Sequence, residues 1–153
     1  MNGKTVMLVV VAIVFAGGLL AGYWLKAEAP PATELVMDSF CDVTTDRCSI
    51  EGSGLILTLE LGPKPGVMTP FKVTLTDWGD QHLQVQDAVV SFRMVGMDMG
   101  LNRYRLEAQG DGVWQSEATL PVCAAGRRDW QADLLLTTAA GKNYHVQSQF
   151  VTR

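Results

Sequence analysis

Histidine is scarce in this chain and basic charge is in deficit. The 153 residues hold two histidines and 12 Lys and Arg against 16 Asp and Glu, a net charge of −4. A nucleic-acid partner demands a basic footprint for its phosphates, so that class is excluded first. The two histidines, His82 and His145, are far apart and form no pair with metal-site spacing; each reads as a surface or core side chain. There is no Gly-rich phosphate loop, no nucleophile elbow and no candidate hydrolase triad. The chain is therefore not read as an enzyme. Internal repeats and low-complexity tracts are absent, and no long stretch after Leu25 has helical period.

Charge is missing altogether from Thr5 to Leu25. These 21 residues are mostly Val, Leu, Ile, Ala, Phe and Met. At ~1.5 Å per residue they span about 31 Å, close to the ~30 Å of a hydrocarbon core. Tyr23 and Trp24 end the run where aromatic rings favour the interface. Residues 1–26 are thus expected to form a transmembrane anchor. A cleaved signal peptide is the rival, with Ala27-Glu28-Ala29 as its cleavage site, but Pro30 follows directly and the apolar run exceeds the ~7–15 residues of a signal h-region. Gly18 and Gly22, four apart with small neighbours, suggest a helix-packing face. Residues 27–33, with Pro30 and Pro31, read as a stiff linker. Residues 34–153 then form one exported domain, on the periplasmic side of the inner (cytoplasmic) membrane. Without Lys4, Lys26 and Glu28, that domain keeps 10 basic and 15 acidic residues.

The domain reads as strands. Ser53–Leu61, Pro70–Thr76, Gln81–Met94, Tyr104–Ala108, Gly112–Leu120, Trp130–Thr138 and Tyr144–Val151 alternate apolar and polar residues at period two. Gly-Pro, Pro-Gly, Trp-Gly-Asp, Gly-Asp-Gly and Ala-Gly-Lys punctuate them as turns. The expected architecture is mostly β, an immunoglobulin-like antiparallel β-sandwich carried by one N-terminal transmembrane helix.

Three cysteines are an odd number for an oxidising compartment. Cys41 and Cys48 enclose Asp42-Val43-Thr44-Thr45-Asp46-Arg47, a spacer rich in turn formers. A disulfide closing this loop is the first reading, with a redox pair or a metal pair as alternatives. Cys123 is left as a lone thiol. A buried, inert cysteine is the plain reading of it. Nearby in pattern, Met94-Val95-Gly96-Met97-Asp98-Met99-Gly100 puts three methionines within six residues. Met97 and Met99 are two apart, so on an extended strand they project to one side. Thioether and thiolate are soft ligands of the kind that select Cu(I). Against this stands the use of methionine as a filler of irregular core gaps.

The stretch Val90–Leu136 resembles the small β-sandwich domains of the FixH and YtkA-like families. The matching pieces are the Met94–Met99 turn, Gly112-Val113-Trp114, Leu120-Pro121-Val122-Cys123 and Trp130-Gln131-Ala132-Asp133-Leu134. The resemblance implies a membrane-anchored or exported protein associated with respiratory oxidase assembly and metal handling. Cys123 stands where the family pattern carries a methionine, a soft-for-soft exchange.

Two functions follow as expectations. In the first, Cys123, Met97 and Met99, with Met94 as a further thioether, hold Cu(I) or pass it to an acceptor protein. In the second, the domain is a structural or assembly subunit of a membrane protein complex, packing through Gly18 and Gly22, and the Met and Cys side chains are core. Arg127 and Arg128 beside Cys123 read as a solvated turn, or as a positive field on the thiol. Asn102-Arg103-Tyr104-Arg105 reads as a basic patch facing a partner.

Overall fold

Alternating patterns of the kind just described become strands when one face can be buried, and ten strands form among the described residues. The computed structural model describes Met7 and residues 31–38, 40–62, 64–78, 84–97 and 99–152. The rest of the expected anchor, with Gly18 and Gly22, lies outside the described residues, as does His82. Among the described residues no helix is long and apolar enough to cross a membrane.

The strands are β1 (Thr33–Met37), β2 (Cys48–Gly52), β3 (Leu55–Gly62), β4 (Phe71–Asp77) and β5 (Val85–Arg93), followed by β6 (Arg103–Arg105), β7 (Glu107–Gly110), β8 (Val113–Ala118), β9 (Asp129–Thr138) and β10 (Asn143–Val151). Their order in space is β6-β5-β9-β10-β1-β2-β3-β4-β8-β7. The strand β1 joins two halves. Thr33, Glu34 and Leu35 pair with β10, whereas Val36 and Met37 pair with β2. One expectation is corrected here, because the sheet is not wholly antiparallel: β1 runs parallel to β10. All the other named strand pairs are antiparallel.

The period-two pattern explains why the halves face each other. In β3 Leu57, Leu59 and Leu61 are buried, in β4 Phe71, Val73 and Leu75, in β5 Ala88, Val90 and Phe92, and in β9 Trp130, Ala132, Leu134 and Leu136. Side chains two apart share a face, so each strand contributes one apolar row to a common interior. Phe92 on β5 lies edge-on to Phe71 on β4, with ring centroids 5.5 Å apart, although these strands belong to different halves. The hydroxyl of Tyr104 on β6 donates to the Thr119 carbonyl at 2.6 Å and accepts from the Thr119 amide at 3.1 Å, tying β6 to the chain just after β8.

Local sequence sets the turns. Ser53 and Gly54, at φ +54° and +78°, form the two-residue link between β2 and β3. Asp111 and Gly112, at +49° and +73°, do the same between β7 and β8. Two successive left-handed residues give the turn whose twist matches that of paired strands, and Gly fits the second position without Cβ strain. The expected single strand Tyr104–Ala108 is instead two strands in different halves. Leu106 separates them, is 1% exposed, and donates its N–H to the Ala88 carbonyl at 2.8 Å. At this residue the chain passes from the β5–β6 pairing to the β7–β8 pairing, although its burial is in phase with that of Tyr104.

Candidate metal centre

The methionine segment begins where β5 ends. Its first four residues form a tight turn rather than an extended strand: the Met97 N–H donates to the Met94 carbonyl at 3.1 Å. Gly96, at φ +74°, supplies the left-handed third residue that a type II turn requires. The expectation that Met97 and Met99 share a side through strand alternation is therefore corrected, because among the described residues neither methionine belongs to a strand.

A second turn presents the thiol. The Gly126 N–H donates to the Cys123 carbonyl at 3.0 Å, closing Cys123-Ala124-Ala125-Gly126, with Gly126 at φ +67°. The two turns meet side by side. The Cys123 thiol donates to Met97 Sδ at 3.6 Å, across 26 positions of sequence. Arg127 clamps them together: its guanidinium donates to the Val95 carbonyl at 3.0 Å and pairs with Asp129. That pairing raises the Arg127 pKa, with burial opposing it and the charges of Asp129 and Cys123 adding to it. The same contact lowers the Asp129 carboxyl. Arg127 is therefore not simply a solvated turn residue; it fixes the methionine turn against the cysteine loop.

Burial grades the sulfur atoms. Met94 is 1% exposed and belongs to the core, Cys123 is 8% exposed, and Met97 and Met99 are half-buried against the core. Of the four candidate ligands, Cys123 and Met97 are thus brought into contact. Met94 supplies the turn's first residue, and Met99 lines a neighbouring surface depression with Met68, Leu101 and Asn102. Met68 was not singled out by its sequence context, since it stands alone in Gly66-Val67-Met68-Thr69. Among the described residues no three His, Cys, Asp or Glu side chains gather as a cluster able to hold a metal ion.

The other cysteines are settled. Cys41 and Cys48 form a disulfide with Cα atoms 5.6 Å apart, the first reading of this loop. Cys123 is the free cysteine among the described residues. His145 bridges two carboxylates: its Nδ1 lies 2.8 Å from Glu34 and its Nε2 3.4 Å from Asp133. Those contacts tie β10 to β1 and β9. In the basic segment, Arg105 pairs with Asp87 at 3.1 Å and Tyr104 is used internally.

Comparison with protein-family models, with curated proteins and with solved structures finds no match, so the chemistry of this site is read from its own residues and geometry.

Proposed function

We propose that the chain is a membrane-anchored, exported binding protein that holds Cu(I) at Cys123 and Met97 and passes it to an acceptor protein, without catalysing a reaction. The observation that carries this reading is the 3.6 Å approach of thiol and thioether. Two sulfurs each ~2.3 Å from one ion stand about 3.8 Å apart at a tetrahedral angle and about 4.6 Å apart on opposite sides of it. The pair therefore suits a bent arrangement completed by a further ligand, and a linear site would require the turns to separate by about 1 Å. Met99 is the nearest thioether in sequence to fill the remaining position, with Met94 behind it. Ionised Cys123 would supply the negative charge and the thioethers the soft, neutral remainder.

The β-architecture is proposed to be an immunoglobulin-like sandwich. Strand β1 passes from one half to the other and runs parallel to the last strand, and Phe92 of β5 packs edge-on to Phe71 of β4. A sandwich of mostly antiparallel strands, with the first strand shared between its two sheets, has this plan. The resemblance to the FixH and YtkA-like domains supports respiratory oxidase assembly as the setting, and the inner membrane with the domain in the periplasm as the location.

One observation favours a second reading. Met94 is 1% exposed and Cys123, at 8%, still counts among the buried core residues, as expected of an assembly subunit whose sulfur atoms only fill space. X-ray absorption at the copper edge separates the two. A Cu(I)-loaded sample with a shell of two or three sulfurs near ~2.3 Å supports the binding site. A shell of nitrogen or oxygen, or copper lost on desalting, leaves the structural reading.

A further inference from the structure

A fifth sulfur atom lies beside this centre. Met68 is 67% exposed, and it lines the same depression as Met99, with Leu101, Asn102, Tyr104 and Pro121 around them. Large apolar side chains are normally turned inward, and Met68 is held outward by its backbone. It sits at φ +58°, a left-handed conformation that a residue with a side chain seldom adopts. Three contacts impose it: the Met68 N–H donates to the Leu120 carbonyl at 2.9 Å, Val67 bridges Leu120 in parallel, and the Thr69 N–H donates to Gly66 at 3.4 Å. Backbone strain of this kind concentrates at sites that use it. Leu120 also begins the segment that ends in Cys123, so the same stretch of chain positions Met68 and the thiol.

We infer that Met68 and Met99 form a second, thioether-only Cu(I) site on the surface, from which the ion passes to Cys123 and Met97. The inference rests on the Cu(I) reading above. Two neutral thioethers bind a soft ion more weakly than a site containing a thiolate, so the ion moves inward down its affinity gradient. Met99 is two residues from Met97 and is the link between the two sites. Transfer involves ligand exchange at an ion that stays Cu(I) throughout, and no electron is moved.

The test is a titration of the full chain in detergent, without oxygen, with Cu(I) as the added ion and the methionine methyl groups followed by NMR. The first equivalent is expected to shift the Met97 and Met99 methyls, and the second to shift Met68 and to move Met99 again. Met68→Leu should abolish the second-equivalent response at Met99 and leave the Met97 response unchanged. If Met97 responds while Met68 stays fixed through several equivalents, the second site is wrong and the Cu(I) centre stands. If no methionine responds, both fall.

Discussion

The Cys123 thiol and the Met97 thioether lie 3.6 Å apart although neither residue belongs to a strand. Each ends or begins a four-residue turn, and Arg127 bonds the one turn to the other. The relationship is held by main-chain hydrogen bonds and one guanidinium, so changes to the sulfur atoms themselves should leave the scaffold standing.

The methionine turn depends on Gly96. A Cβ added there meets nothing within 4 Å, so Gly96→Ala meets no steric clash. Its cost is the left-handed backbone, about 1–2 kcal/mol for a residue with a side chain. Thermal melts of the variant should show that loss. An unchanged melting temperature would mean the turn relaxes freely and does not hold Met97 in place.

The Cys41–Cys48 bond closes a short loop whose Val43 is fully buried and accepts the Leu61 N–H at 2.7 Å. Loop entropy grows with length, so replacing both cysteines by serine should cost on the order of 2 kcal/mol in denaturant unfolding. Mass spectrometry after rapid alkylation should find Cys123 as the free thiol. Labelling of Cys41 or Cys48 in the exported protein would contradict the bond.

Asp133 supplies a pH dependence. Burial pushes its carboxyl upward, but hydrogen bonds from Arg93, Gln147 and Gln131 and the Arg93 charge outweigh it, and the net shift is downward. The Arg93 contact is 2.6 Å. A carboxyl lowered in the folded state binds fewer protons there than in the unfolded chain, whose value is about 3.9. Its stabilisation is therefore complete above about pH 5 and is lost as pH falls through the lower folded value. Asp133→Asn should be less stable than the parent at pH 5, with the difference shrinking toward pH 2. A difference that stays constant over that range would contradict this account.

Membrane attachment is checked by fractionation. If residues 1–26 span the membrane, the protein should stay in the membrane pellet through high-salt washing, because a helix of that apolar length inserts almost irreversibly. A soluble mature form beginning near Pro30 would show a cleaved signal peptide instead.

Much of the β-architecture was legible because burial of one face writes itself as period two. Leu57, Leu59 and Leu61 in β3, and Trp130, Ala132, Leu134 and Leu136 in β9, gave their strands directly. The first two strands were not legible. Five residues each are too few to show a period, and β1 changes partners after Leu35. The break at Leu106 was hidden because its neighbours alternate correctly on either side. At the site, the soft residue types in Met94–Met99 and at Cys123 pointed to one another, and Cys123 and Met97 do meet. Met68 was invisible, because it reaches Met99's depression through the pairing of Val67 and Met68 with Leu120, a contact across the fold that no local pattern records.

The central claim is that the Cys123–Met97 pair binds Cu(I), and a competition titration against a Cu(I) chelator under reducing conditions tests it most directly. The parent should take up one tightly held Cu(I). Cys123→Ser should weaken binding far more than Met94→Leu, because the thiolate carries the only negative charge among the ligands. Met97→Leu and Met99→Leu should each weaken it in part without loss of fold, since Met-to-Leu nearly conserves volume. Affinity unchanged in Cys123→Ser, with only its melting temperature lowered, would contradict the account and leave the sulfur atoms as core.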